Sequence, residues 1–313
     1  MTPTEKTTPE LGGKMRCVDL FAGWGGFTLG AENAGLDVVY AANHWPLAVE
    51  AHEINHPSAQ HVCQDLRQAD WTALPEYDLL LASPACQGHS RASQPKRRHF
   101  HDALRASAWA VVDCAEVTNP ETVLVENVPD MTRWQLYPVW RQALELLGYT
   151  VTEGVFTASR FGVPQRRTRL VVCASRVGAT VAEDRPDAIE PAFGPHIEWD
   201  APGWRPIANA SSNVQRRIGW AQERHGAQCL SQHVTGHKGI SLDEPIRTVT
   251  TKDHWVLVDG ADYRPLTIRE YARSMSFPDT YAWPAKATRG DCIKGIGNAI
   301  PPAFATEMIK AVA

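Results

Sequence analysis

Cys86 stands just past the apolar run YDLLLAS (77–83), inside the segment SPACQGHS (83–90). A cysteine in plain surroundings is a small core residue. Where cations raise its thiolate fraction it becomes a nucleophile. Residues 86–105 carry Arg91, Lys96, Arg97, Arg98 and Arg105 against Asp102 alone, a local charge of +4 in a chain whose total is −4. Further on, VLVENVPD (123–130) ends an apolar run on Glu126 and Asn127. A carboxyl at that place either points into water or is buried, and burial is costly unless the group is paired or working. RFGVPQRRTRL (160–170) then brings Gln165, Arg166, Arg167 and Arg169 at a strand entry. Strand alternation sends Arg167 and Arg169 to one face, aiming two cations together, unless the segment is simply a solvated edge.

A ligand loop precedes these groups. DLFAGWGGF (19–27) sets Gly23, Gly25 and Gly26 between a strand and a helix. Glycines there permit positive φ and let a ligand approach the backbone. The loop lacks the Lys-Ser/Thr of a Walker motif, which argues against a nucleoside triphosphate. An acidic residue at the end of the second strand would normally hold ribose hydroxyls. Here Asn43 stands in that place, able to hydrogen-bond but uncharged. Asp65 could accept a hydrogen bond from an adenine amino group, or cap a turn.

The elements that must position these residues follow one another regularly. Apolar runs predict strands over 15–21, 37–43, 61–66, 77–83 and 122–128, and helical spacing predicts helices over 26–35, 46–55, 102–117 and 137–148. Strands over 149–158 and 168–175 have no helical segment between them, so they are expected to pair antiparallel. The alternation predicts a doubly wound α/β sheet with helices on both faces, its ligands at the carboxyl ends of the strands. After Ser175 the texture changes. Residues 176–262 carry Pro186, Pro191, Pro195, Pro202 and Pro206, several glycines and little helical periodicity. They read as a smaller, irregular second domain. Residues 263–289 are mixed, and 291–313 return to an apolar helical pattern that should dock on the first domain. The expected division is a disordered tail over 1–13, a first domain over 14–176 plus 291–313, and a second over 177–290.

Composition sets outer limits. A chain of 313 residues with 43% hydrophobic and 21% charged content can bury a sizeable core and is not wholly disordered. The net charge excludes a globally basic nucleic-acid coat. No apolar run approaches the roughly 18 residues of a membrane span. Residues 1–13 lack the apolar core of a secretory signal. Seven cysteines without a CxxC pair argue against a disulfide framework and a standard zinc site, and suit a reducing cytoplasm.

Six motifs in this order resemble those of the DNA cytosine-C5 methyltransferases. DLFAGWGGF resembles the family's S-adenosylmethionine loop, PACQ its Pro-Cys-Gln motif, ENV its Glu-Asn-Val motif and QRRTR its Gln-x-Arg-x-Arg motif. RPLTIREYARSMSFPD (264–279) resembles the stretch framing the recognition domain, and GNAIPP (297–302) the last motif. Two residues depart from the pattern. Ala85 stands where the family has Pro before the cysteine, and Asn43 where it has Glu.

The resemblance implies a Rossmann-like S-adenosylmethionine-dependent methyltransferase sheet plus a smaller target-recognition domain. Its cofactor contacts would be Asp19, Phe21, Gly23, Trp24, Gly25, Gly26, Asn43, His44, Asp65, Leu66, Asn298 and Ala299. Cys86 would add to C6 of a flipped cytosine, and Glu126 would donate to or hydrogen-bond N3. Arg167 and Arg169 would hold the base carbonyl, the carboxylate or a phosphate. Gln87, Ser90, Arg91, Lys96, Arg97, Arg98, Asn127 and Gln165 would contact the substrate, the basic stretch as a loop closing on it. In the recognition domain His225, His233, His237 and Lys238 are candidate DNA contacts. The implied partner is double-stranded DNA, with a separate restriction endonuclease as a companion and the enzyme itself a monomer. A tRNA cytosine methyltransferase and a silent DNA-binding paralogue are the alternatives.

Overall fold

The computed structural model describes residues 13–85, 106–234, 236 and 238–313. The expected tail over 1–13 therefore lies, but for Gly13, outside the described residues, as does the basic stretch after Ala85. The order begins β1 (Arg16–Leu20), α1 (Gly26–Asn33), β2 (Asp37–Asn43), α2 (Pro46–Asn55), β3 (Gln60–Cys63) and β4 (Leu79–Ala82). It continues with α3 (Trp109–Thr118), β5 (Thr122–Asn127), α4 (Tyr137–Leu146), β6 (Thr150–Thr157), β7 (Gln165–Arg166) and β8 (Thr168–Ser175). Then come β9 (Arg205–Pro206), α5 (Ser212–His225), β10 (Gln228–Gln232), β11 (Ile240–Ser241), β12 (Ile246–Arg247), β13 (Trp255–Asp259) and β14 (Asp262–Pro265). Three helices close the chain: α6 (Ile268–Ser274), α7 (Arg289–Asn298) and α8 (Pro302–Lys310).

Seven strands form the main sheet in the order β3-β2-β1-β4-β5-β8-β6. The first five are mutually parallel, and β8 runs antiparallel to both β5 and β6. The central strand β4, LLLA, is apolar and buried at every position because both faces of the sheet are covered. Val18, Leu80, Val125, Trp140 and Leu144 fill one face, and Leu79, Leu81, Leu124, Phe304 and Met308 the other. The strand order reverses between β1 and β4, so a crevice opens above their carboxyl ends.

The end of the chain completes this crevice. A Cβ on Gly26 would lie 2.0 Å from the Ile300 carbonyl oxygen, and one on Gly30 would lie 2.5 Å from the Ala305 Cβ. The small residues of α1 thus let 300–306 lie directly against it.

The region after Ser175 is more regular than its sequence reads. It holds a five-stranded sheet, β11-β10-β13-β14-β9, and the 14-residue helix α5. Only Ile218 and Ala221 of α5 are fully buried, so its apolar stripe is too thin to show as periodicity. Two boundaries also shift. The third strand stops at Cys63, and of the helix expected over 102–117 the described part is a 3₁₀ turn over Ala106–Ala108 followed by an α-helix from Trp109, with 102–105 outside the described residues.

Candidate active site

The crevice is a cavity of about 320 Å³. The β1–α1 loop supplies Phe21, Gly23 and Trp24, the end of β2 supplies Asn43, His44 and Trp45, and the end of β4 supplies Ser83, Pro84 and Ala85. Glu126 closes it from β5, Arg167 and Arg169 from the start of β8, and Lys294, Asn298 and Ala299 from α7 and beyond. Its size and mixed aromatic and polar lining suit a small-molecule site.

Glu126 is paired. Its Oε1 accepts from Arg169 Nε at 2.7 Å, and both side chains are nearly enclosed. A carboxylate held this way inside a cavity presents its other oxygen in a fixed direction. Arg167 is used differently. It falls between β7 and β8, and its guanidinium reaches backbone carbonyls. Nη1 donates to Val249 O at 3.1 Å, and Nη2 donates to Gly297 O at 2.9 Å and Ala299 O at 3.0 Å. The two arginines both edge the cavity and hold different partners. Arg169 fixes the carboxyl, while Arg167 clamps the segment that carries Asn298.

Two residues expected at the substrate hold the framework instead. Asn127 is buried; its Nδ2 donates to Pro84 O at 3.0 Å and its Oδ1 accepts from Val128 N–H at 2.8 Å. It ties the end of β5 to the loop that leads to residue 86. Gln165 is fully buried; its Nε2 donates to Ser274 O at 3.3 Å and its Oε1 accepts from Val249 N–H at 3.0 Å. Both amides are spent on the chain's own backbone. Cys86, Gln87, Ser90, Arg91, Lys96, Arg97 and Arg98 lie outside the described residues, as does His237.

The expected cofactor contacts also divide. Phe21, Gly23, Trp24, Asn43, His44, Asn298 and Ala299 line the cavity. Asp65 and Leu66 do not. Leu66 packs in the core, and the Asp65 carboxylate caps the next turn at Arg67 N–H and binds the Arg67 guanidinium at 2.9 Å. That pairing pulls the Asp65 carboxyl down to about 2. Gly25 and Gly26 are likewise absent from the lining; Gly26 serves close packing on Ile300. Lys294 was not singled out in the sequence. It precedes Asn298 by one helical turn, a spacing that places both on one face of α7, and its Nζ sits 4.2 Å over the Trp45 ring.

Asp19 lies beneath the loop, fully buried and outside the cavity lining. Its Oδ2 accepts from Thr28 Oγ1 at 2.8 Å; Thr28 Oγ1 meets His52 Nε2 at 2.9 Å, and His52 Nδ1 meets His61 Nε2 at 2.8 Å. Burial pushes the Asp19 carboxyl up from 3.8 to about 7, against a lowering by Thr28. Below pH 4 both the folded and unfolded chains hold this proton. Between 4 and 7 the folded chain keeps it while the unfolded chain releases it, so rising pH erodes stability until the folded group also ionises. Asp19→Asn removes that term. Its stability relative to the parent should rise by about 3 kcal/mol between pH 4 and pH 8. Urea midpoints at the two pH values measure it, and an equal difference at both would refute it.

The comparisons with known proteins agree with this geometry. The family model C-5 cytosine-specific DNA methylase matches residues 15–198 and 202–313. Type II methyltransferase M1.HphI of Haemophilus parahaemolyticus is 27% identical, over 94% of this chain and 86% of its own. Type II methyltransferase M.AplI of Arthrospira platensis is 29% identical, over 98% of this chain and 88% of its own. Among solved structures, a DNMT2 mutant from Spodoptera frugiperda superposes with a TM-score of 0.72 at 17% identity, covering 95% of this chain and 99% of that one. A putative DNA modification methyltransferase from an Escherichia coli prophage gives 0.69 at 20% identity, covering 95% and 98%. The structural likenesses establish the fold, and the family match across nearly the whole described chain establishes the rest: this chain belongs to the C-5 cytosine-specific DNA methylases.

Proposed function

We propose that the enzyme transfers a methyl group from S-adenosylmethionine to C5 of a flipped-out cytosine in a specific duplex DNA sequence. The observation that carries this reading is the convergence of four elements on one cavity. The Gly-rich loop, the end of β4 leading to Cys86, the Arg169-held Glu126 and the Asn298 segment all meet there.

The cavity fits the cofactor. Aromatic Phe21 and Trp24 form apolar wall, and Asn43, His44 and Asn298 offer hydrogen bonds at its edges. These five residues would hold it. When bound, S-adenosylmethionine supplies an electrophilic methyl group. Asn43 Oδ1 accepts from Trp45 N–H at 2.9 Å, which leaves its amide N–H groups to serve a ribose hydroxyl oxygen.

Cytosine C5 is a weak nucleophile. The Cys86 thiolate adds to C6, forming a C–S bond and turning C5 into an enamine carbon. Glu126 donates a proton to N3 as negative charge develops on the ring, and Arg169 holds the carboxyl in place. After methylation, loss of the C5 proton and departure of the Cys86 thiolate restore the aromatic ring. Base flipping is required because C6 is out of reach in a stacked duplex.

The second region, 177–290, would read sequence from the major groove, and the basic stretch after Cys86 would close on the flipped base. The curated relatives are named Type II methyltransferases, so a separately acting restriction endonuclease is the expected companion. Among the described residues no helix is long and apolar enough to cross a membrane. We place the enzyme in the cytoplasm as a monomer.

A mechanism trap tests the reading. Duplex DNA containing 5-fluorocytosine, incubated with S-adenosylmethionine, should give an irreversible complex. Cys86→Ser should abolish that complex and keep DNA binding. Labelled methyl transfer to tRNA in preference to duplex DNA would overturn the substrate, and a trap that survives Cys86→Ser would overturn the nucleophile.

A further inference from the structure

A second buried network reaches the Gly-rich loop beside the one that holds Asp19. His56, the residue that ends α2, is 1% exposed. Its Nδ1 lies 2.9 Å from Glu32 Oε2 on α1, and its Nε2 lies 3.0 Å from the Tyr281 hydroxyl. Tyr281, also buried, donates that hydroxyl proton to the Trp24 carbonyl oxygen. Three separate parts of the chain, α1, the end of α2 and the segment before α7, thus converge on one peptide group of the loop.

Counting protons fixes the direction of this relay. Tyr281 has one hydroxyl proton, and Trp24 O can only accept, so the proton goes there. Burial pushes the Tyr281 phenol far above its usual range and keeps it protonated. Its oxygen then accepts from His56 Nε2–H. Its other ring nitrogen, Nδ1, meets the Glu32 carboxyl, which ties the ring to α1. His52, its ring centroid 4.7 Å away, is held well below its usual range by burial first and then by its histidine neighbours.

Gly25 shows how tightly the relay is set. At φ 75° it turns the loop, and a Cβ there would lie 2.5 Å from the Tyr281 hydroxyl and 2.6 Å from His56 Nε2. The relay takes up the space a side chain would fill. Trp24, whose carbonyl it holds, lines the cavity.

The geometry points to Tyr281 as a positioning residue for cofactor binding: through it, Glu32 and His56 fix the Trp24 peptide and hold the loop in the shape that accepts the cofactor. This rests on the reading of the cavity as the S-adenosylmethionine site. The hydroxyl touches neither substrate nor reacting atoms; its effect passes through the loop alone.

The test is calorimetric binding of S-adenosylhomocysteine, with steady-state kinetics beside it. Tyr281→Phe keeps the ring and removes the hydroxyl. It should weaken binding about tenfold and raise KM for S-adenosylmethionine similarly, the scale of one lost buried hydrogen bond. KM for DNA and kcat at saturating cofactor should stay within about twofold. Glu32→Gln removes only the charge at the far end and should weaken binding less, in the same direction; it also decides the matter if Tyr281→Phe fails to fold. Binding unchanged in the folded variants, with the parent binding normally, would overturn the positioning role. A parent protein that does not bind S-adenosylhomocysteine at all would instead overturn the cofactor reading on which it stands.

Discussion

Glu126→Gln should lower the rate of methyl transfer by two to three orders of magnitude, about 3 to 4 kcal/mol of transition-state stabilisation. The glutamine has the same shape, and its side-chain oxygen can still accept from Arg169 Nε where Glu126 Oε1 now does at 2.7 Å. What it lacks is a carboxyl proton to give to N3. That matters only as the ring of the base gains negative charge, so binding of DNA and cofactor should change little. Single-turnover rates with labelled cofactor, beside equilibrium DNA binding, separate the two effects. A variant within about fivefold of the parent rate would show that this carboxyl is structural.

Arg167→Met should be the most damaging change to the fold of the site. The methionine fills much of the volume but donates nothing. Three buried carbonyls, those of Val249, Gly297 and Ala299, lose their donor at once. An unsatisfied buried acceptor costs about 1 to 3 kcal/mol. Allowing for water to reach some of them, a loss of about 4 kcal/mol is expected, a large share of the roughly 5 to 15 kcal/mol that holds a domain together. Urea unfolding measures it, with cofactor binding as a second readout because Asn298 sits between two of the freed carbonyls. An unchanged urea midpoint would show that the clamp is redundant.

These two residues also mark how far the sequence could be read. Glu126 was legible because a carboxyl at the end of an apolar run has few reasons to be there. Arg167 was legible as one of two cations set together, and both edge the cavity; the spacing gave no sign that one would bind a carboxyl and the other three carbonyls. Asn127 and Gln165 were recognisable as special and not as structural, since an amide gives no local sign of which backbone it will meet across 43 or 109 positions of chain. The main sheet followed from its alternating segments because its central strands carry apolar runs, and the antiparallel pairing of β6 and β8 because no helical pattern stands between them. The helix α5 escaped because it buries too little to leave a pattern. Asp65 capped a turn, as its type and position allowed.

The two walls of the cavity come from distant stretches of chain, Gly23 and Trp24 from one and Lys294, Asn298 and Ala299 from the other. The pocket is complete only where both stretches have docked, so a substitution that loosens that docking would open it without touching any residue of its lining.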